Sequence, residues 1–319
     1  MRSTDNKNDN IDKVSNKCAN CGKGEESSCS LKACTACHMV KYCNRECQIA
    51  HRPQHKIKEC KKRAAELQDE MKISDEELFK QPPPNEDCPI CFLLLPYLTN
   101  TGSKYQTCCG RLICSGCIHA PLYDNQGNRV DNKKCPFCRT PTASSDGEIV
   151  KRLNKRIEVG DTTASHIQGC CYYEGTNGFT QDRAKALECW HRAGKLGHTT
   201  SYCNICCAYL NGRGVKADKE KATYYWKLAA IRGNVEARHI LGFEEESNGN
   251  TERALKHYMI AVGVGYDDSL KRIKELYSYG QASKEDYMRA LRSYQTYLSE
   301  IRSPQRDKAA AANDRYRYY

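Results

Sequence analysis

The middle of the chain carries a dense cysteine pattern, which reads Cys88-Pro-Ile-Cys91, Thr107-Cys108-Cys109-Gly-Arg-Leu-Ile-Cys114-Ser-Gly-Cys117 and Cys135-Pro-Phe-Cys138-Arg139. A Cys-x-x-Cys pair suits tetrahedral zinc because two intervening residues let both sulfur atoms turn onto one ion. Three such pairs and two adjacent cysteines supply eight thiolates, enough for two four-cysteine sites. Because four protein ligands leave no open coordination position, we expect this zinc to be structural and not catalytic.

Residues 88–141 resemble a RING finger of the all-cysteine kind. The common RING pattern has a histidine where this chain has Arg111, and a guanidinium cannot ligate zinc because it has no free lone pair. Cys108 is then the replacement ligand. The cross-braced order of the family implies two zinc sites, one held by Cys88, Cys91, Cys114 and Cys117 and the other by Cys108, Cys109, Cys135 and Cys138. Adjacent ligands on one ion are expected to strain the backbone of the second site.

A second pattern of seven cysteines and one histidine occupies residues 18–60 and again supplies two tetrahedral sites. It resembles a MYND finger, down to the pairs Tyr42-Cys43 and Cys47-Gln48. The interleaved order of that family implies one site of Cys18, Cys21, Cys43 and Cys47, and another of Cys34, Cys37, His55 and Cys60. MYND fingers bind short proline-containing peptides, so the resemblance implies a docking module.

This pattern departs from the MYND family in two places. Arg52 stands where the family usually has tryptophan, and four residues separate His55 from Cys60 where three are usual. We interpret His51 as a structural neighbour of the ligands and Cys29 as a free thiol. The family also includes methyltransferases, but this chain carries no comparable catalytic segment.

Composition places the protein in a reducing compartment. Twenty-two cysteines in a chain of 319 residues, with a polar first ten residues and no signal peptide pattern, indicate metal and not disulfides. No apolar run approaches the roughly 20 residues that span a bilayer. We therefore expect a cytoplasmic or nuclear protein without a membrane span.

The formal charge of +11 raises the possibility of nucleic-acid binding. Four zinc ions contribute eight positive charges and fifteen ligand thiolates contribute fifteen negative ones, which lowers the net charge to about +4. The basic excess mostly offsets the metal sites, so nucleic acid is an unlikely partner.

The two cysteine patterns are flanked by polar segments. Residues 1–17 read as a disordered tail, and residues 61–87 as a charged, helix-favouring and proline-rich linker. Ser74 and Glu77 fit a capping box at the start of a short helix. We interpret Pro82-Pro83-Pro84 as a stiff spacer, with a peptide ligand as the alternative.

The last half of the chain repeats itself. A linker helix over 142–160 precedes units that begin at Ala164, Ser201, Ala237 and Ser269, with steps of 37, 36 and 32 residues. Each unit follows the template small-x-x-x-apolar-small-x-x-Tyr-x-x-Gly, with departures, and the first three are followed by a second helix. These second helices carry Trp190, Trp226 and Tyr258 and are expected to end at Gly197, Gly233 and Gly265.

The repeats over 161–300 resemble the SEL-one-like family of short tetratricopeptide-type repeats, which implies a curved solenoid that binds proteins on its concave face. The cysteines of this region (Cys170, Cys171, Cys189, Cys203, Cys206 and Cys207) are interpreted as small core residues. Lys284–Ile301 reads as a capping helix stopped by Ser303-Pro304. Residues 301–319 form the C-terminal tail, and its end, 315–319, is expected to be loose. The fold class is mainly α, with two small zinc-stabilised cross-brace modules followed by an α-solenoid of helix–turn–helix repeats.

Two functions follow from these resemblances. The first is a RING ubiquitin ligase, in which the RING holds a ubiquitin-conjugating enzyme and the repeats or the MYND finger hold the substrate protein. In that family the enzyme docks on residues at the places of Ile90 and Pro136, and a basic residue at the place of Arg139 contacts both ubiquitin and the enzyme. The alternative is a non-enzymatic zinc adaptor for protein–protein interaction.

Overall fold

The computed structural model describes residues 17–21, 23, 31–34, 40–51, 72–83, 85–97, 102–122, 126, 130 and 133–318. It divides the chain into two compact units, Met1–Lys72 and Ile73–Tyr319. Residues 1–16 of the expected tail, the expected helical segment 61–71 and the expected ligands Cys37, His55 and Cys60 lie outside the described residues.

The described part of the first unit is a small β-hairpin and one helix. Strand β1 (Lys32–Ala33) pairs antiparallel with β2 (Lys41–Tyr42), and helix α1 (Arg45–His51) follows. The buried residues here are Cys18, Leu31, Cys34 and Tyr42. Two of these four are cysteines, so the described residues of this unit bury little apolar surface, and small modules of this kind are commonly stabilised by a bound metal.

The second unit begins with one helical turn and a hairpin. Ser74 accepts a hydrogen bond from the Glu77 backbone N (3.2 Å) and caps α2 (Asp75–Leu78), which supplies the N-cap half of the expected capping box. Strand β3 (Ser103–Gln106) pairs antiparallel with β4 (Arg111–Cys114), and α3 (Ser115–His119) continues directly from β4.

A stack of helices makes up the rest of the second unit. In chain order they are α4 (Asp146–Glu158), α5 (Thr162–Glu174), α6 (Arg183–Lys195), α7 (Thr199–Asn211), α8 (Lys219–Ile231), α9 (Val235–Ser247), α10 (Thr251–Gly263), α11 (Asp267–Ser278), α12 (Lys284–Ile301) and α13 (Pro304–Ala312). The most extensive contacts join α5 to α6, α7 to α8, and α9 to α10. This is the helix–turn–helix solenoid expected from the repeats.

Polar caps set the start of seven of these helices. In each case a side-chain oxygen accepts from the backbone N three residues later, at distances of 2.8–3.3 Å; the capping residues are Ser145, Asp161, Asp182, Asp218, Asn234, Ser283 and Ser303. The helix ends also follow the sequence. Gly197, Gly233 and Gly265 adopt positive φ values of 104°, 98° and 94°, as expected for residues that terminate helices in the left-handed region.

The small residues of the repeat template lie where helices touch. A Cβ added at Gly169 would lie 2.6 Å from the Trp190 ring, and one at Gly242 would lie 2.6 Å from the Tyr258 ring. Trp190 and Tyr258 are buried, whereas Trp226 is half-buried. The glycines therefore let an aromatic side chain of the second helix reach the backbone of the first.

The repeat cysteines only partly behave as core residues. Cys171, Cys189 and Cys206 are buried, Cys170 and Cys203 are half-buried, and Cys207 is exposed. No helix among the described residues is both long and apolar enough to cross a membrane.

The C-terminal tail expected over 301–319 contains a helix, and its end, expected to be loose over 315–319, is packed at Tyr318. Ser303 accepts from the Arg306 backbone N (3.2 Å) and Pro304 takes the first position of α13, so the Ser-Pro pair ends one helix and begins another. Tyr318 is fully buried against Tyr297 and Ile301. The tail was misjudged because a proline after a helix marks a stop and a new start equally well.

We predict that Gly242→Ala destabilises the full chain by about 1–3 kcal/mol, because the added methyl group collides with the buried Tyr258 ring. The control is Gly263→Ala in the last position of α10, where nothing lies within 4 Å of the added Cβ. That variant should be neutral or up to about 1 kcal/mol more stable. Urea unfolding followed by circular dichroism measures both, and equal effects would contradict the packing described.

Candidate metal centres

The structure brings cysteines together in three clusters among the described residues. In each cluster the four sulfur atoms lie within 4.8 Å of one another; the clusters are Cys18, Cys21, Cys43 and Cys47, then Cys88, Cys91, Cys114 and Cys117, then Cys108, Cys109, Cys135 and Cys138. We call them clusters 1, 2 and 3. They match three of the four ligand sets expected from the sequence. Of the fourth set only Cys34 is described, and it is buried.

The sulfur spacing fits zinc. A tetrahedral site with Zn–S bonds of about 2.3 Å has sulfur–sulfur edges of about 3.8 Å. The Cys91 and Cys114 sulfurs are 3.7 Å apart, and the Cys109 and Cys135 sulfurs are 3.9 Å apart. A disulfide would need about 2.05 Å, so the spacing describes four ligands around a common point.

The electrostatics agree with a need for a cation. Burial acts to raise the pKa of Cys18, but backbone N–H groups in cluster 1 outweigh it and lower this pKa to about 6. In cluster 3, burial raises the pKa of Cys109 to about 11. Without a cation, closely spaced thiols cannot all ionise, because each new thiolate repels the others. A divalent ion removes that conflict, and the donor set suits zinc.

The adjacent cysteines of cluster 3 sit in the turn between β3 and β4. The backbone N atoms of Cys109 and Gly110 both donate to Gln106 O, at 3.2 and 2.8 Å. The left-handed residue of the turn is Gly110 (φ 69°), and neither cysteine has positive φ. Glycine adopts this conformation without steric cost, so the turn moves the expected strain off the two ligands.

Cluster 3 is braced by the start of the solenoid. Arg156 on α4 donates from Nη2 to the Cys108 carbonyl at 2.8 Å. The Tyr105 hydroxyl donates to Asp161 Oδ2 at 2.6 Å, and a Cβ at Gly110 would lie 2.6 Å from the same oxygen. The first helices of the solenoid therefore hold the β3–β4 turn in place.

Cluster 2 is braced by the other end of the chain. Arg306 on α13 has no exposed surface; it donates to Leu94 O (2.8 Å) and Leu93 O (3.3 Å), and its Nη2 lies 3.8 Å from Cys91 Sγ. A Cβ at Gly116 would lie 3.0 Å from the Arg306 backbone N, so α3 and α13 are in close contact. Sequence reasoning missed this arginine because nothing local distinguishes it from the other arginines of the segment.

Apolar side chains are exposed beside clusters 2 and 3. Ile90, inside the Cys88–Cys91 turn, is 36% exposed, and Phe92 just after it is 77% exposed with a φ of 58°. In the Cys135–Cys138 turn, Pro136 is half-buried and Phe137 is 43% exposed. Ile90 and Pro136 are the two docking residues expected from the sequence, whereas exposure of the two phenylalanines was not expected.

Arg139 follows the last cysteine of cluster 3. Its side chain is exposed, and its backbone N donates to Cys135 O at 3.0 Å while its φ is 63°. The left-handed conformation is a steric cost for any residue with a Cβ. The backbone hydrogen bond offsets part of that cost and fixes where the side chain leaves the turn.

A Cys–His pair lies inside the solenoid. Cys170 Sγ is 3.5 Å from His166 Nε2, one helical turn away. Burial lowers the pKa of His166 to about 3 and raises the pKa of Cys170. Both groups are therefore neutral near pH 7, which is the opposite of an activated thiolate–imidazolium pair.

We predict that Arg306→Ala speeds zinc loss to a chelator and destabilises the chain by about 2–3 kcal/mol, because it removes a fully buried guanidinium that donates to the Leu94 and Ile301 carbonyls. The matched control is Arg302→Ala, which removes an exposed arginine four residues earlier. Zinc release is followed with a chromogenic indicator and stability by thermal unfolding. Equal release rates in the two variants would show that α13 does not brace cluster 2.

Family models match two parts of the chain. A MYND finger model matches residues 18–65, and a Sel1 repeat model matches residues 169–198 and 199–234. The resemblances to these two families are thereby confirmed. The RING resemblance of the region between them is not covered by these two models.

Three curated relatives show shorter similarity. The chain is 34% identical over 71 residues to the E3 ubiquitin-protein ligase GW2 of Oryza sativa subsp. indica, and 36% identical over 71 residues to the E3 ubiquitin-protein ligase DA2 of Arabidopsis thaliana. The E3 ubiquitin-protein ligase GW2 of Oryza sativa subsp. japonica is also 34% identical over 71 residues. The matched region is 22% of this chain but only 15–16% of these ligases.

Two solved structures show partial similarity to this chain. One is the Sel1 repeat protein from Oxalobacter formigenes, at 25% identity and a TM-score of 0.41 over 55% of this chain and 68% of that one. Another is c5321, a protective antigen of uropathogenic Escherichia coli with an SLR fold, at 22% identity and a TM-score of 0.41 over 54% and 38%. The chain thus contains a MYND finger at residues 18–65 and Sel1 repeats at residues 169–234, with two further four-cysteine clusters between them.

Proposed function

We propose that this protein is a RING-type ubiquitin ligase that brings a ubiquitin-conjugating enzyme and a substrate protein together. The observation that carries the proposal is the interleaving of clusters 2 and 3. The first and third cysteine pairs in sequence (Cys88/Cys91 and Cys114/Cys117) share one point in space, and the second and fourth (Cys108/Cys109 and Cys135/Cys138) share another. This is the cross-braced order that the RING resemblance implies.

The surface beside the clusters supports the docking of an enzyme. An isoleucine that served only as core would be buried, yet Ile90 is partly exposed. Phe92, two residues after Ile90, and Phe137, next to Pro136, add further exposed apolar area. Exposed apolar side chains next to a rigid metal site are typical of protein-binding surfaces. We assign the conjugating-enzyme contacts to Ile90, Pro136 and Arg139.

The chemistry of such a ligase is positioning. Zinc in clusters 2 and 3 would supply rigidity, with the eight cysteines as its ligands and no open coordination position. Arg139 presents five fixed N–H donors, which suits it to bridge carbonyl groups on ubiquitin and the enzyme and to hold the thioester in its reactive pose. No covalent intermediate forms on this protein; rate is gained by proximity and orientation.

Two further features support a role in ubiquitin transfer to protein substrates. The curated relatives described above are ubiquitin ligases by name. MYND fingers and Sel1 repeats indicate protein partners, which gives the chain surfaces for a substrate apart from the enzyme-docking site. A cytoplasmic or nuclear location accords with so many reduced cysteines.

The second candidate is a zinc adaptor without ligase activity. It is favoured by Arg111, which occupies the place of the usual RING histidine, and by the short span of similarity to the ligases. An adaptor would keep the same clusters and the same partner surfaces. The two candidates differ only in whether a charged conjugating enzyme discharges ubiquitin faster in the presence of the protein.

We infer four zinc ions per chain, one for each described cluster and one for the set containing Cys34. Native mass spectrometry of the full chain should give four, and Cys109→Ser should give three, because a serine hydroxyl is a poor zinc ligand at neutral pH. The control Cys170→Ser removes a repeat cysteine and should keep four. Two ions in the wild-type chain would remove one of the modules from the proposal.

We predict that Arg139→Ala slows ubiquitin discharge by roughly 10- to 100-fold, the effect of losing one charge-assisted hydrogen bond worth about 1.5–3 kcal/mol. Alanine and arginine bear a similar left-handed backbone cost at this position, so the substitution tests the guanidinium. Zinc content and enzyme binding should be unchanged. Arg111→Ala, at an exposed arginine on β4, is the control and should discharge at the wild-type rate.

Discharge assays should use a broad panel of charged conjugating enzymes. Ile90→Asp should abolish binding of the responsive enzyme while leaving zinc content intact, because it places a charge in the apolar contact. If the wild-type protein accelerates discharge from none of the panel, the adaptor is the correct function.

A further inference from the structure

The proline-rich linker ahead of cluster 2 does not behave as a free spacer. Residues Ile73–Pro83, which we call the docked segment, belong to the same compact unit as the solenoid. Leu78 is 2% exposed and lies in a core cluster with repeat residues such as Trp190 and Tyr202. We propose that the surface made by α8, α9 and α10 is a recognition site for acidic Leu-aromatic peptides, which the docked segment fills within its own chain.

The anchors of the docked segment are two side chains on consecutive residues. Leu78 enters the apolar core, while the Phe79 ring packs on His257 at a centroid distance of 4.7 Å. The Arg253 guanidinium lies 5.0 Å from the Phe79 ring centroid and the Lys256 ammonium 5.8 Å from it. The phenylalanine is therefore held between an imidazole and two cations, a setting that favours an aromatic side chain over an aliphatic one.

The backbone of the docked segment is recognised by a buried arginine. Arg238 on α9 is 1% exposed; its Nη1 donates to the Leu78 carbonyl and its Nη2 donates to Ala230 O at 2.8 Å. Burial lowers the pKa of Arg238 to about 10. If the docked segment left, this guanidinium would lose an acceptor in a largely desolvated place. The surface is therefore built to receive a carbonyl from a second segment.

Charge is complementary across the contact. The docked segment carries Asp75, Glu76 and Glu77, and the surface carries Arg253 and Lys256, which also pair with its own Glu245 and Glu252. Arg253 makes an ion pair with Asp75, and its hydrogen bond lowers the pKa of that carboxyl group. An exposed ion pair of this kind adds little stability, but it selects acidic over basic sequences and sets the direction of the bound segment.

The end of the docked segment is also in contact. A Cβ at Gly233, in the turn between α8 and α9, would lie 3.5 Å from Pro82. Apart from the four residues of α2, the described segment has no helix or strand of its own, and one helical turn is not stable in isolation. Contacts with the surface therefore hold the docked segment in its conformation, as they would a short peptide ligand.

The occupant of this site from outside the chain is thus a protein segment with an acidic turn followed by leucine, an aromatic residue and proline. Tethering gives the docked segment an effective concentration of the order of millimolar, so an outside peptide competes poorly until the internal one is released. The claim that this site receives a ligase substrate rests on the proposed function. The claim that it binds such peptides does not.

The test uses the full chain with three substitutions in the docked segment, Asp75→Arg, Leu78→Ala and Phe79→Ala, and a fluorescent peptide spanning residues 72–83. Anisotropy should show that the peptide binds the released variant at least tenfold more tightly than the wild-type chain. A peptide with Leu78→Ala and Phe79→Ala is the matched control and should not bind. Equal affinity for the released and wild-type chains, or no binding to either, would overturn the proposal.

Two further measurements keep the test decisive. Adding Arg253→Glu to the released variant should abolish binding of the wild-type peptide, and a peptide with Asp75→Arg should restore it. If the released variant loses its helical circular dichroism, the docked segment is part of the core and the proposal fails. If the wild-type chain discharges no ubiquitin but the peptide binds as predicted, only the ligase function is rejected. If the wild-type chain discharges ubiquitin but the peptide does not bind the released variant, only this site is rejected.

Discussion

The segment from Cys88 to Cys138 depends on the pairing of cysteines that are distant in sequence. Cys88 and Cys91 share a point with Cys114 and Cys117 although more than twenty residues separate the pairs, and the next cluster interleaves with them. Among its described residues this segment buries few apolar side chains besides the cysteines, with Leu95 and Ile113 as the main ones. The free energy that closes its loops must therefore come mostly from metal ligation.

The solenoid braces this segment from both ends. Arg156 near the first repeat contacts the Cys108 backbone, and Arg306 near the C-terminus contacts the loop after Cys91. The backbone N of Tyr97 adds a third tie through the Tyr297 hydroxyl at 3.1 Å. A rigid enzyme-docking surface is what positioning catalysis needs, since small displacements of the reacting groups cost large factors in rate. The repeats therefore support the proposed catalytic surface as well as a partner site.

The sequence predicted the features that are marked by a regular spacing of residues. The cysteine spacing predicted three clusters that the structure brings together, and the small–aromatic pattern predicted helix pairs in which Gly242 meets Tyr258. It did not predict contacts between distant segments whose residues belong to no repeated pattern. Arg238 and Arg306 read as ordinary charged residues, and nothing near them in sequence indicates that each would be buried against backbone carbonyls. The contact of Pro82 and Pro83 with Gly233 could not be predicted because more than 140 residues separate them in sequence.

Cadmium NMR tests the cross-braced connectivity of clusters 2 and 3 directly. In the cadmium-substituted full chain, each metal resonance correlates with the β-protons of the cysteines that bind it. We expect one cadmium to correlate with Cys88, Cys91, Cys114 and Cys117, and another with Cys108, Cys109, Cys135 and Cys138. A single cadmium that correlates with Cys88, Cys91, Cys108 and Cys109 would mean that neighbouring pairs bind in sequence order, and would contradict the account.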